Sequence, residues 1–208
     1  MDKLLRKIEN LKNGDVRGLV DARLRQFKEL GGKSADEIFG ELCFCIMTAN
    51  FNAQRSIDIQ GSVGRGFCNM AERELATKLR EFGHRFPEAR ARYMVEARKH
   101  MPTLKATLSE SGSESELRGW LAENVTGLGY KEASHFMRNI GFTDVAIVDF
   151  HIIDLLVRHG IITRPKTLTP KNYLEIEGVL RDIARKSDLN LAELDLYLWY
   201  METGKILK

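Results

Sequence analysis

A lysine and an aspartate stand eighteen residues apart in this chain, Lys131 and Asp149, and the lysine closes the run Val125-Thr126-Gly127-Leu128-Gly129-Tyr130-Lys131-Glu132-Ala133. Two glycines around one apolar residue make a tight hairpin whose amides can approach an anion, and a helix starting after it aims its positive end the same way. An amine there, with a carboxylate within reach, has the parts for attack at carbon through lysine Schiff-base chemistry. The helix macrodipole and partial burial both favour a neutral, nucleophilic amine. Asp149 can stabilise positive charge on the reacting centre while capping a helix of its own, because a capping carboxylate is held rigidly.

Each of these residues also has a purely structural assignment. A helical lysine is ordinarily a solvated charge, an aspartate at a helix start contributes about 1 kcal/mol as an N-cap, and a Gly-x-Gly turn serves many helix–turn–helix connections for steric reasons alone. Val125 and Leu128, apolar within the turn, favour a hairpin pinned between two helices. A helix–hairpin–helix of this kind binds a nucleic-acid phosphate through backbone amides and fixes position without reading sequence.

The elements that must hold these groups are helical. Val16 to Leu30 has helical spacing and stops at Gly31-Gly32; Ser34-Ala35-Asp36-Glu37 reads as a capping box opening a buried helix through Met47. Asn69-Met70-Ala71-Glu72 repeats that logic before a helix ending near Gly83, and Pro87 suits the first turn of the next. A helix follows Ser113 or Ser115 up to the hairpin. Tyr130 to Asn139 is closed by Gly141, Asp149 opens a helix running to Gly160, Thr169-Pro170 starts a long one, and Leu191, Leu194 and Leu198 line the last before Thr203-Gly204. No alternating strands compete, so the expected class is all-α.

At 208 residues, with 43% hydrophobic and 29% charged residues and four prolines, the chain reads as an ordinary globular protein. The net charge of +3 is too mild to indicate nucleic acid by itself. Arg80, His84, Arg85, Arg90, Arg92, Arg98, Lys99 and His100 form a candidate basic stripe, with a solvated helix face as its competing assignment. Three cysteines, Cys43, Cys45 and Cys68, argue against a disulfide framework and for a reducing, cytosolic compartment. No metal spacing appears, a four-cysteine iron–sulfur cluster is absent, and Leu42 to Met47 is too short to span a bilayer.

Several segments resemble a known family. Leu42-Cys43-Phe44-Cys45-Ile46-Met47-Thr48-Ala49-Asn50, Gly83-His84-Arg85-Phe86, Gly129 to Asn139, and Leu194-Asp195-Leu196-Tyr197-Leu198-Trp199-Tyr200 with Gly204-Lys205 look like the archaeal-type 8-oxoguanine DNA glycosylase/AP lyase family within the helix–hairpin–helix glycosylases. The resemblance covers almost the whole chain, including the lack of the cysteine cluster that endonuclease III-like relatives carry.

It implies a fold of two helical domains with a DNA-binding cleft between them. One is built from both termini, residues 1–50 and 145–208; the other, residues 51–144, contains the helix–hairpin–helix at about 117–139. The implied partner is double-stranded DNA containing 8-oxoguanine, bound by a monomer without a membrane or cofactor, in the cytoplasm and associated with the nucleoid. The damaged base would be flipped out of the stack. Lys131 would attack C1′, displace the base and form a Schiff base, β-elimination would nick the strand, and Asp149 would assist by charge.

Phe86 and Trp199 would sandwich the base and Lys208 would reach its pocket, while Asn50, Asn52, Gly127 and Gly129 would contact DNA. Their structural alternatives are a staple at a helix start for Phe86, core packing for Trp199, a solvated tail for Lys208 and helix capping for the asparagines. Many members place arginine directly after the aspartate, whereas here Phe150 precedes His151. Two other functions remain open on the residues alone: a glycosylase/lyase for another oxidised base, and a non-catalytic helix–hairpin–helix DNA-binding protein.

Overall fold

Thirteen α-helices and one 3-10 helix make up the fold, and no strand is present. The structure, a computed structural model, describes residues 1–208. The helices are α1 (Asp2–Lys12), α2 (Val16–Gly31), α3 (Ala35–Thr48), α4 (Ala53–Val63), α5 (Gly66–Asn69), α6 (Glu72–Glu81) and α7 (Pro87–Ala97); a 3-10 turn (Arg98–Thr103) then leads into α8 (Leu104–Glu110), α9 (Glu114–Asn124), α10 (Tyr130–Asn139), α11 (Phe150–Arg158), α12 (Pro170–Lys186) and α13 (Leu191–Thr203). The all-α expectation holds. No helix is long and apolar enough to cross a membrane.

Local chemistry sets most of the helix ends. Ser34 and Glu37 form the expected reciprocal capping box, Pro87 occupies the first turn of α7, Ser113 and Thr169 cap α9 and α12, and Gly204 ends α13 in the left-handed conformation. One expected cap is corrected. Asn69 is the last residue of α5, and α6 starts from Ala71 with no side-chain cap, so the local capping pattern lost to an extra helical turn packed beneath it. Four helices carried no strong sequence signal, α1, α4, α5 and α8; α1 buries Leu4 and Ile8, and α4 buries Ile59 and Val63.

Apolar side chains collect in two large clusters and one small one. The first holds α3 at its centre, with residues from α4 to α10 around it; the second joins α1 to α11, α12 and α13; the third lays α2 on α13. The buried side chains of α3, from Ile38 to Met47, belong to the first cluster. At the meeting of α2 with the end of α10 the backbones nearly touch: a Cβ on Gly31 would lie 2.1 Å from the Ile140 carbonyl oxygen, so only glycine fits without backbone movement.

The connector between α10 and α11 passes from one large cluster to the other, Val145 in the first and Ala146 in the second. Val145 to Val148 are buried without regular structure, so their polar groups must find partners elsewhere. Side chains of α12 supply them. Ala146 N–H donates to Glu177 Oε2 at 2.8 Å, Tyr173 Oη donates to the Ala146 carbonyl at 2.7 Å, and Val148 N–H donates to Tyr173 Oη at 3.1 Å. Glu177 is in turn paired with the fully buried Arg118 of α9. This lattice fixes the chain immediately before Asp149.

Candidate active site at two helix starts

Lys131 is the second residue of α10, and the hairpin before it is shaped by Gly127, whose φ is +92°. A Cβ at Gly127 would lie 2.6 Å from Tyr93 Cδ2, so both backbone conformation and the Tyr93 ring of α7 demand glycine. Gly129 serves differently. It is the N-cap of α10 with extended backbone, and its N–H donates to Glu132 Oε2 at 3.3 Å. That amide is therefore occupied within the protein, and Leu128 N–H donates to Val125 at 3.1 Å, while Thr126 and Gly127 N–H have no protein acceptor. The amides open to an anion are those of the turn and of the first residues of α10, Tyr130 and Lys131, rather than those of both glycines.

Glu132 was not singled out by the sequence. Its other oxygen, Oε1, accepts from Lys131 Nζ at 3.3 Å, with the lysine side chain one-quarter exposed. The macrodipole is thus not the only charge acting on the amine, because a carboxylate from the next residue ties it to the hairpin.

Asp149 is the N-cap of α11, and its Oδ1 accepts from Ile152 N–H at 2.9 Å. Asp195 of α13 senses both Asp149 and Lys131. Burial raises its carboxyl, the paired Arg138 guanidinium opposes that rise, Asp149 adds to it and Lys131 counters it. Lys131 and Asp149 thus bring opposite charges into electrostatic range of one buried carboxyl.

A chain of polar contacts continues from Asp195 through Arg138 to Asn139, whose Oδ1 accepts from Arg138 Nη2 at 2.8 Å, and from Asn139 Nδ2 to Glu41 Oε1 at 2.6 Å. Glu41 Oε2 then accepts from Lys208 Nζ at 2.8 Å and from Gln60 Nε2 at 3.0 Å. Lys208 Nζ also lies 4.3 Å from the Phe44 ring centroid and bonds Gln60 Oε1. Lys208 is accordingly anchored rather than a solvated tail. Its backbone meets His135, one turn along α10 from Lys131; burial first, then the Arg138 and Lys131 charges, hold that imidazole well below its usual range. Glu41 carried a readable signal, since a lone carboxylate inside the apolar run Ile38 to Met47 requires partners.

Phe86 lies on the other flank, as the residue capping α7, and is exposed. Its N–H donates to His84 Nδ1 at 3.1 Å and His84 Nε2 donates to the Met47 carbonyl at 3.1 Å, an arrangement only neutral imidazole can make. Burial lowers the His84 imidazole accordingly. Arg90, whose Nη2 donates to the Ala49 carbonyl at 2.9 Å, lies within electrostatic range of Glu132. The turn carrying Asn50 and Asn52 is pinned beside Phe86 by these two side chains. Asn50 is exposed with φ +59°, and Asn52 caps α4 by accepting from Arg55 N–H at 3.0 Å.

The basic stripe survives only in part as a surface: Arg85, Arg92 and Lys99 stay exposed, while other members turn inward or pair. His84 and Arg90 are buried, Arg98 donates to the Phe67 and Met70 carbonyls at 2.8 and 2.7 Å, and Arg80 pairs with Glu88. Trp199 is half-buried on α13, with its ring centroid 5.2 Å from that of His151 in an edge contact, and its buried Nε1 has no acceptor. No ring contact joins Trp199 to Phe86, and the two stand on different elements, α13 and the start of α7.

Residues 20–189 match the sequence profile of a family described as 8-oxoguanine DNA glycosylase. The chain is 50% identical over 209 residues to the 8-oxoguanine DNA glycosylase/AP lyase of Korarchaeum cryptofilum, spanning 100% of this chain and 99% of that protein. Its fold superposes with a TM-score of 0.96 on the Methanocaldococcus jannaschii 8-oxoguanine glycosylase/lyase solved with a 15mer DNA containing 8-oxoguanine, at 47% identity and covering 99% of this chain and 100% of that one. An endonuclease III solved in a non-covalent complex with DNA shares the fold at a TM-score of 0.57 and 17% identity, over 89% of this chain and 83% of that one.

Proposed function

This chain belongs to the 8-oxoguanine DNA glycosylase family, and from that premise we propose that it excises 8-oxoguanine from DNA and cleaves the abasic site by β-elimination, with Lys131 as nucleophile and Asp149 as its charge partner. The observation that carries the site assignment is that Lys131 and Asp149 begin two different helices yet both lie within electrostatic range of the same Asp195 carboxyl.

Once its ammonium has given up a proton, Lys131 Nζ attacks C1′ of the damaged nucleotide, the bond to the base breaks, and the base leaves with the electron pair and gains a proton. Positive charge developing on the sugar is stabilised by the Asp149 carboxylate, which its bond to Ile152 N–H keeps from rotating away. Loss of the amine's proton and opening of the sugar give the Schiff base; removal of a C2′ proton then expels the 3′ phosphate. The free turn amides of Thr126 and Gly127 hold a phosphate of the strand.

Phe86 and Trp199 form the two faces of the base pocket and Lys208 its floor, with Asn50 and Asn52 toward the opposite strand. The chain works as a monomer in the cytoplasm, where its DNA lies. The domain boundary on the N-terminal side runs before α3 rather than after it, because the buried side chains of α3 share the apolar cluster of the central helices. The DNA cleft then runs between the two bodies, along the connector from α10 to α11.

Borohydride trapping on an 8-oxoguanine duplex tests the chemistry. A covalent adduct with the native protein and none with Lys131→Gln is expected; absence of adduct with both, or equal adduct with both, rejects the mechanism.

A further inference from the structure

Only two of the chain's aromatic residues are exposed, Phe86 and Phe150, and Phe150 is the more exposed at 64%. It is the first residue of α11 and follows Asp149 directly. Folding gives no reason for this exposure, since α11 buries Ile152, Ile153, Leu155 and Leu156 on its other face and the first turn of a helix accepts almost any polar residue. The ring is nevertheless supported. Its centroid lies 3.9 Å from that of His151 at an interplanar angle of 35°, and His151 stands edge-on to Trp199 at 5.2 Å. Three rings therefore step outward from the partly buried indole to solvent along the flank of Asp149.

We propose that Phe150 is a DNA-contacting residue whose ring stacks on the nucleobase adjoining the extruded nucleotide. This rests on the function proposed above. Removing a nucleotide from the duplex exposes the faces of its neighbours, and an aromatic ring replaces part of the lost stacking without regard to sequence. Phe150 has what that needs: a free face, a backing ring that restricts its motion, and attachment to the residue that addresses the same nucleotide's sugar. A charged side chain at this position would serve a phosphate instead, so the phenyl ring shifts the contact from backbone to base.

The test uses the full chain and a duplex carrying a stable tetrahydrofuran abasic analogue, with 2-aminopurine next to it on one side or the other. Affinity by fluorescence anisotropy and 2-aminopurine emission are read for the native protein and for Phe150→Ala, Phe150→Leu and Phe150→Trp, each checked for an unchanged thermal melt. Phe150→Ala is expected to weaken binding about tenfold or more, Phe150→Trp to restore it, and Phe150→Leu to fall short because it keeps bulk but no π face. The 2-aminopurine on the contacted side should be quenched by the native protein and by Phe150→Trp alone. Equal affinity for Phe150→Ala and native protein, or full rescue by Phe150→Leu, overturns the proposal. A native protein that releases no 8-oxoguanine overturns the parent function instead, a result read independently of these ratios.

Discussion

The starts of α10 and α11 deliver the two reactive groups by opposite means. At α10 the reactive residue is not the cap: Gly129 takes that position, Glu132 satisfies its amide, and Lys131 is left for chemistry with only a partly exposed ion partner. At α11 the reactive residue is the cap, so Asp149 commits one carboxylate oxygen to Ile152 N–H and keeps the other. The difference follows from charge. A carboxylate is stabilised at a helix N-terminus and gains rigidity by capping, whereas an ammonium opposes the macrodipole there and cannot accept an amide bond. Stability and chemistry are thus separable at Lys131 and fused at Asp149.

The largest effect should come from Lys131→Gln. Loss of a nucleophile costs on the order of 10⁶-fold in turnover, yet no buried contact depends on this side chain, so the unfolding free energy should stay within about 0.5 kcal/mol of native. Single-turnover base release beside equilibrium unfolding checks both halves. A large stability loss would show that α10 uses its lysine structurally after all.

Asp149 is broken open by comparing two variants. Asn caps a helix as well as Asp does, so Asp149→Asn should leave stability unchanged and slow base release by about 10² to 10³-fold, the scale of losing one electrostatic stabiliser. Asp149→Ala should lose the same activity and about 1 kcal/mol of stability in addition. Equal rates for Asn and native enzyme would confine Asp149 to capping.

Acid should act through two buried histidines, one on α10 and one before α7. His135 and His84 are neutral in the folded protein, held down chiefly by burial, while unfolded histidine titrates near 6.5. Below that value the unfolded chain binds more protons, so their contribution is complete above about pH 6.5 and is lost as pH falls, by up to about 1.4 kcal/mol per pH unit for each histidine. Urea midpoints at pH 7.5 and 5.5 check this, and His135→Gln should flatten the slope.

Sequence legibility followed the range of the interactions. Ser34 with Glu37, Pro87, Asp149 and Gly204 act within four residues of themselves, and their helix ends were readable. The hairpin was readable for the same reason, except that the partner demanding glycine at position 127 is Tyr93, thirty-four residues upstream. The chain from Asp195 through Arg138 and Asn139 to Glu41 and Lys208 was not, because its members lie far apart in sequence and Asp195, Arg138 and Asn139 are ordinary helical residues alone; only Glu41, a carboxylate in an apolar run, announced a need for partners. The basic stripe held only in part for the same reason: counting cations ignores the carbonyls that the fold presents to them, and Arg90 and Arg98 are consumed by Ala49, Phe67 and Met70 while Arg85, Arg92 and Lys99 stay exposed. Pairs such as Arg118 with Glu177 leave no local trace at all.

Glu132 provides the smallest and finest probe of the contrast between the two starts. Glu132→Gln keeps an amide oxygen for Gly129 N–H and removes only the charge facing Lys131. Because the pair is partly exposed, the stability change should be about 0.5 kcal/mol, and trapping should change by no more than about tenfold, since the amine itself and Asp149 are untouched. Glu132→Ala removes the hairpin bond as well and should weaken binding to an abasic-analogue duplex further than Gln does, as the turn amides lose their fixed direction. If Gln is as damaging as Lys131→Gln, the carboxylate takes part in the amine's proton traffic, and the start of α10 would then fuse structure with chemistry just as α11 does.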